Sequence, residues 1–584
     1  METAIRQRPV NRYPMLATFP SHKIRQACMM ITGLLVFLAP ILIGVSGVLL
    51  PAAGYFPALG FTQFSTHPAL SFFATPGVGT AIWLALKTGL IASCLSLLCC
   101  FIILTGLMHY RGFALLRRAL AALVAVPHSA IAIGLVFLLA PSGWLMRILS
   151  PAITGFTSPP DWSLVPDPYG WALIFGLMAK EIPFLLMVSL AAIATLPVRQ
   201  FENIGSSLGY GRLATWMMLI LPLIYRQIRL PVFAVLVFSL SVVDMALLLA
   251  PTLPPPLAIL VLHGFLDADL AARLPASFGA LLQIALGVAG IGLWSVGEAV
   301  CRLSLQYWRR GGWRLRILDR CLPALSTVAI VPLIAACAGL LAAFLWSIAG
   351  SWFFPSALPQ NFQLIHWQDV GSYVPLLKTS LWLAGGASFA ALLVVLAWSY
   401  AAPNTTLNNR WLLGSIFMPF FMPQISFLLG MQISLSRIGL DGTWFALMWV
   451  HMIFILPYTW LIVIPARQAL DGRLDHVAAT LGASGWKRFT RIHLPLMAYP
   501  LGTAMFIGIS VSMALYLPTV FVGAGRINTI TVEAVSLASG GSRGPAGLAA
   551  MLQIAIPIVS FVIIHWGLRY RFGRFSGMQS GRLQ

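Results

Sequence analysis

The strongest constraint on this chain is a set of twelve apolar stretches, each long enough to cross a bilayer as a helix. They lie near 27–50, 80–107, 114–140, 171–196, 229–251 and 276–300, then near 324–348, 376–400, 411–436, 443–466, 498–522 and 546–566. A hydrocarbon core about 30 Å thick takes roughly 20 apolar helical residues to span. No water-soluble fold could bury such a chain. Of its 584 residues 59% are hydrophobic and 9% charged, whereas soluble domains carry about 25% charged residues and split beyond about 250–300 residues. Proline and glycine inside the stretches are compatible with spanning helices, because neighbouring helices can satisfy the freed backbone groups. The expected fold class is therefore all-α: a polytopic membrane protein of twelve transmembrane helices.

The formal net charge of +21 raises the question of nucleic acid, and its distribution answers it. With the amino terminus in the cytoplasm, 28 of the 36 Lys and Arg fall on inner segments. These are the amino-terminal tail (Arg6, Arg8, Arg12, Lys23, Arg25), the turns at 108–118, 197–230, 301–321, 401–411 and 466–497, and the carboxy-terminal tail (Arg569, Arg571, Arg574, Arg582). The outer loops hold five, Arg147, Arg273, Arg437, Arg526 and Arg543, while Lys87, Lys180 and Lys378 lie in or beside spans. This is the positive-inside pattern, and it places both termini in the cytoplasm. The basic excess is an orientation signal, and no nucleic-acid partner is expected. All seven cysteines fall in spans or on the inner side, so no disulfide is expected, and no His/Cys spacing suggests a metal site.

Marker segments recur in the same order in the two halves. Lys87-Thr88 answers Lys378-Thr379, and PHSAIAIG (Pro127 to Gly134) answers PQISFLLG (Pro423 to Gly430). MAL at Met245 answers MAL at Met513, and LQIA at Leu282 answers LQIA at Leu552. Each half runs inside to inside, so the repeat is parallel rather than inverted. The expected organisation is a cytoplasmic basic tail (1–26), a first six-helix repeat (27–300), a cytoplasmic linker (301–322), a second repeat (323–566) and a cytoplasmic tail (567–584).

The most informative repeat lies on the inner side, within 197–222 and 467–495. The first copy reads ENIGSSLGYGRLATWMMLILP from Glu202 to Pro222, the second DHVAATLGASGWKRFTRIHLP from Asp475 to Pro495. In each, an acid stands seven residues before a glycine (Gly209, Gly482), and a Leu-Pro step ends thirteen residues after it. A short amphipathic helix with an acid near its start suits the helix dipole. The glycine can take positive φ and end it. A second helical stretch should then run to the proline, whose ring is expected to break the pattern before the next span.

These two segments resemble the EAA loop of binding-protein-dependent ABC importer permeases, whose pattern is EAA, three residues, G, nine residues, I, one residue and LP. Glycine and Leu-Pro match in spacing twice; Ile492 fills the isoleucine position in the second copy and Leu219 in the first. The triplet departs: Asn203-Ile204-Gly205 and His476-Val477-Ala478 stand there, with the acid one position earlier. The resemblance covers nearly the whole chain as two permease units in tandem, similar to the fused permeases of the ferric-iron and thiamine importers. It implies that Glu202, Asn203, Gly209, Pro222, Asp475, His476, Gly482 and Pro495 form two loops coupling the chain to an ATPase. It further implies two ATPase subunits on the cytoplasmic side, an external solute-binding protein, and a place in the inner membrane. A Walker A loop needs Gly-Lys, and none of the five lysines follows a glycine. ATP should therefore be used by a separate partner, with no cofactor held by this chain.

Ionisable groups within hydrocarbon cost roughly 2.5–3.5 kcal/mol each on insertion scales and ask for a partner or a wet cavity. Lys180 and Glu181 fall in the middle of the fourth span and Asp244 in the outer half of the fifth. They line the solute pathway, or they form buried structural pairs such as Lys180 with Asp244. Ser512 holds the place of Asp244 in the second half. Lys87 and Lys378 are read as interfacial anchors and His451 as a hydrogen-bonded interior residue. No nucleophile elbow or HExxH motif occurs, so the chain is not expected to be an enzyme. Against the importer permease stand a secondary transporter with parallel repeats and a polytopic membrane enzyme. The solute, a small polar molecule or ion of the ferric-iron or thiamine class, is not legible.

Overall fold

The computed structural model describes residues 20–110, 112–162, 164–312, 314, 316–401, 407 and 410–572. The tail arginines Arg6, Arg8, Arg12, Arg574 and Arg582 lie outside these residues, as do the side chains of Lys23 and Arg25. Among the described residues there are helices and turns and no β-strand. Nine helices among the described residues are long and apolar enough to cross a membrane, and two bent helix pairs raise the number to eleven. The twelfth expected span corresponds to α1 (Pro20–Ala52), apolar over Phe37–Ala52.

The first half continues with α2 (Val78–Leu107), α3 (Phe113–Ala125), α4 (His128–Leu139), α5 (Trp171–Ile193), α6 (Val198–Ser207), α7 (Leu221–Ser241) and α8 (Arg273–Gly311). The second half contains α9 (Leu322–Ser347), α10 (Val370–Ala401), α11 (Arg410–Phe421), α12 (Ile425–Arg437), α13 (Trp444–Gln468), α14 (Gly472–Thr480), α15 (Ala498–Ala514) and α16 (Arg543–Phe572). Within the expected linker 301–322, α8 runs on to Gly311 and a 3-10 turn at Leu318–Cys321 leads into α9.

Several spans are broken where straight helices are expected. The third span is two helices, α3 and α4, parted at Val126-Pro127. Its counterpart in the second half is α11 and α12, which meet at 97° around Pro423. Proline pushes the residue before it out of the helical region, and Val126 is extended with ψ 130°. The marker prolines Pro127 and Pro423 thus stand at matched breaks. The fifth span ends early: α7 stops at Ser241, Val242 is extended, and Asp244 sits in the non-helical break rather than on a helix. In the same way α15 stops at Ala514 before extended Leu515. The LQIA glutamines satisfy carbonyls near these open ends. Buried Gln283 donates to Leu240 O at 3.0 Å and buried Gln553 to Met513 O at 3.2 Å.

The first helix of each half packs against the other half, α1 on α12 and α9 on α4. Hydrogen bonds cross the same seam. Ser129 and Gln553 are linked at 2.8 Å, and Ser426 donates to Ala280 O at 2.7 Å. The two halves are therefore interlocked around one shared buried centre.

Candidate coupling site

Each inner segment folds as a helix-turn-helix knuckle. In the first, α6 ends at Gly209, whose φ is +82°, and a short helix at Arg212–Thr215 follows. In the second, α14 ends at Gly482, φ +77°, before a helix at Gly485–Arg488. A side chain is strained at such φ, so both positions suit glycine. In each knuckle the short helix then widens into a π-turn, Trp216–Ile220 or Phe489–His493, directly before Leu-Pro. The expected break at the Leu-Pro proline does not occur in either half, since helix continues through Pro222 to Ser241 and through Pro495 to Leu496. Arg212–Ser241 runs on as a single span past Pro222, because the π-turn shifts the hydrogen-bond frame ahead of the missing N–H. In the second half the chain bends by 71° after Pro495, between Leu496 and Ala498. Pro500 stands in the first turn of α15 where the first half has Gln227. Its ring clashes with the carbonyl of Leu496 and denies it a donor.

The acids tie each knuckle together. Glu202 accepts from buried Trp216 Nε1 at 2.7 Å, faces His109 Nε2 at 2.9 Å and lies 3.8 Å from Arg212 Nε. Asp475 is paired with Arg488 Nη1 at 2.8 Å and His493 Nε2 at 3.2 Å, and Tyr400 is hydrogen-bonded to His493 Nδ1 at 2.5 Å. His109 and Tyr400 stand at the same place, each 22 residues after its marker lysine, Lys87 or Lys378. In both halves, then, the carboxy-terminal end of the second span reaches the knuckle acid, directly or through one side chain. A pocket of about 250 Å³ opens beside Glu202, Asn203 and Arg212.

With the acids turned inward, the outer faces of the knuckle helices are apolar at matched positions. Ile204 and Leu208 are 53% and 61% exposed; Val477 and Leu481, five and one residues before Gly482 as the first pair are before Gly209, are 58% and 81% exposed. An i, i+4 pair shares one helix face. Two such pairs at equivalent positions form a surface suited to a partner. These four residues, with His109 and Tyr400, were not singled out by sequence: the signal is an aliphatic pair four apart, which a 59% hydrophobic chain hides.

Counted with the bent pair α11–α12 as one span, the chain returns to the same end of the molecule between the two knuckles. The segment joining the halves is hydrogen-bonded to the first knuckle, Arg316 Nε donating to Gly209 O at 2.8 Å. From there four span-length elements, α9, α10, the bent pair α11–α12 and α13, lead to the second knuckle, an even number of crossings.

Two of the buried charges of the first half, Lys180 and Glu181, are hydrogen-bonded. Lys180 donates to Leu123 O at 3.2 Å, Val124 O at 2.9 Å and Val126 O at 2.5 Å, the open carbonyl end of α3 where Pro127 breaks the span. A cation there complements the helix dipole as well as the carbonyls. Among the described residues no ion pair within 4.0 Å joins Lys180 to Asp244. Glu181 accepts from Ser239, with Oε2 unpartnered. Twenty-nine residues before each knuckle glycine stand Lys180 and Ile453, so this device belongs to one half only. His451 is a buried, hydrogen-bonded residue as expected, with Nδ1 2.8 Å from Ser512 Oγ and Nε2 3.2 Å from Thr519 Oγ1. Lys87 donates to Tyr169 O at 3.0 Å and lies 5.0 Å from the Trp171 ring.

No family model matches the chain. It is 30% identical over 517 residues to the inner membrane ABC transporter permease protein YnjC of Escherichia coli K12, an alignment covering 87% of this chain and 90% of that protein. Over 208 residues, 35% of this chain, it is 26% identical to proteins of Salmonella paratyphi A and Salmonella typhimurium named as candidate permeases, PhnV, of a 2-aminoethylphosphonate transport system, covering 78% of each.

Proposed function

We propose a function from the premise that this chain belongs to the permease family of ABC transporters. It is the transmembrane component of an importer in the inner membrane, with both termini in the cytoplasm. It forms the solute pathway between its two halves and takes its energy from a separate ATPase. One ATPase subunit docks on each knuckle, and closure of the pair on ATP moves the knuckles together and rocks the halves about the seam. An external binding protein delivers the solute to the opposite face.

The observation that carries this reading is the matched pair of knuckles. Each has a glycine-ended helix, an acid tied inward to the carboxy-terminal end of the second span, and two exposed aliphatic residues in register. A secondary transporter has no use for two such surfaces. The test is reconstitution of the purified chain in vesicles with its cognate ATPase and binding protein. Uptake should require both, together with ATP inside the compartment holding the ATPase. Accumulation by the chain alone would return the secondary transporter. Identifying the small molecule carried by the purified binding protein gives the solute class.

A further inference from the structure

The two knuckles differ in a way the repeat does not foreshadow. Along the first lies the segment that joins the halves. Gly211 N donates to Arg314 O at 2.9 Å and Arg316 Nε to Gly209 O at 2.8 Å. The Asp319 carboxylate accepts from Arg212 N at 2.7 Å and Leu213 N at 2.8 Å, capping the short helix that follows the turn. Arg309 completes the strap with a hydrogen bond to Met218 O. The second knuckle caps itself, Ser484 Oγ accepting from Lys487 N at 3.4 Å. The place of Ser484, two residues after the knuckle glycine, is held in the first half by Gly211, which has no side chain to offer. The carboxylate comes instead from 107 residues away.

The strap changes what a partner meets. Gly211 is buried and Leu213 half-buried, whereas their counterparts Ser484 and Trp486 are exposed, Trp486 by 71%. In exchange, the strap presents its own groups next to Gly209 and hence next to Leu208. Ile317 is 81% exposed, and Arg314 and Arg316, which precede it, are exposed with their guanidinium groups beside Gly209. An aliphatic side chain held out by a hydrogen-bonded segment is already ordered, so little further conformational freedom is lost when it is covered.

We propose that Arg314 and residues 316–319 are part of the docking surface for the ATPase subunit at the first knuckle. This rests on the function proposed above. That subunit meets Leu208 and Ile317 together with two guanidinium groups, so its matching face is an apolar depression bordered by acidic side chains. The subunit at the second knuckle meets Leu481 and Trp486 with no strap. The two ATPase sites are chemically unlike although the halves repeat.

The test places a photo-reactive benzophenone side chain singly at Leu208, Leu481 or Ile317 in the full complex with its ATPase, with adducts identified by mass. The expected result is a permease–ATPase adduct from all three positions. Adducts from Leu208 and Leu481 without one from Ile317 would overturn the strap's part in docking while leaving the knuckle reading intact. Absence of adducts from all three would remove the knuckle reading, and the strap proposal with it. A second measurement uses a chain carrying Leu481→Glu, in which retention of the ATPase depends on the first knuckle. There Arg314→Glu with Ile317→Asp should weaken ATPase retention about tenfold or more, which corresponds to at least one mutated contact's worth of binding; unchanged retention counts against the strap.

Discussion

Gly134 and Gly339 meet backbone to backbone across the seam between the halves. A Cβ built on Gly134 would lie 2.7 Å from the carbonyl carbon of Gly339, and one on Gly339 would lie 2.8 Å from that of Gly134. The second half repeats the contact with the partners exchanged: a Cβ on Gly430 would fall 2.0 Å from Gly44 O, and one on Gly47 would fall 2.7 Å from Gly430 Cα. Gly134 and Gly430 close the two marker segments that begin at Pro127 and Pro423. Lipid gives apolar helices little reason to prefer one another over acyl chains, so close backbone approach at small residues holds such seams.

Substitution at this contact should therefore act on assembly of the halves. Gly339→Val forces backbone apart from backbone, an overpacking penalty of about 1–3 kcal/mol. The thermal midpoint of the purified protein should fall, while Gly414→Ala, where a Cβ meets open space and alanine favours the helix, should not lower it. Equal midpoints for the two variants would mean that the seam does not bear the load assigned to it.

Lys180 should behave as a structural cap. Lys180→Met withdraws its donors from the carbonyls of Leu123, Val124 and Val126. Unsatisfied buried acceptors cost about 1–3 kcal/mol. The expected outcome is a lower midpoint and less folded protein, with uptake per folded molecule retained. A variant of normal stability that transports nothing would instead place Lys180 on the solute pathway.

The exposed apolar pairs should matter to docking and not to folding. Leu208 and Leu481 are largely exposed, so a charge at either leaves the chain stable. A central interface residue contributes about 2 kcal/mol or more. Leu208→Glu and Leu481→Glu should each weaken ATPase co-purification, and the double variant should abolish it and uptake together. Co-purification at the wild-type level by the double variant would exclude these faces as docking sites.

Glu202 should couple motion rather than binding. Removing its carboxylate in Glu202→Ala leaves buried Trp216 Nε1 without its acceptor and frees His109. The ordered link from α6 to the carboxy-terminal end of α2 is then lost, a change of about 1–3 kcal/mol at one donor alone. ATP hydrolysis should continue while uptake per ATP falls. A wild-type ratio would show that the link transmits nothing.

How much of this was legible in the sequence follows from where each signal resides. The spans and the two knuckles are written in local order: long apolar runs, a glycine needing positive φ, a proline at fixed distance. The breaks were half-legible. Pro127 and Pro423 were visible as markers, but hydropathy runs unbroken through Pro127 and says nothing of a helix parting there. Pro222 was expected to end a helix and does not, because a π-turn before it absorbs the missing donor. The partners of Lys180 and Asp319 were invisible for another reason. They are backbone groups, carbonyls in one case and N–H groups in the other, which any sequence supplies, brought close by chains 54 to 57 and 106 to 107 residues apart.

Asp319 and Gly211 should show reciprocal dependence. Asp319→Ala removes the cap from Arg212 N and Leu213 N, a loss of about 0.5–2 kcal/mol. Gly211→Ser alone is also unfavourable. Its φ of −69° and ψ of 165° suit any residue, but its Cβ would lie 2.5 Å from Asp319 Oδ2 and 3.0 Å from Arg314 O. With the carboxylate gone the first clash disappears, and the new hydroxyl can cap the helix from its own start, as Ser484 does in the second half. The double variant should therefore be more stable than the sum of the single effects by about 0.5–3 kcal/mol, the range for residues in direct contact. The quantity to measure is the four-way cycle of unfolding midpoints. Strict additivity would mean that Asp319 and position 211 do not compete for the same two backbone donors, and the strap would lose its anchor.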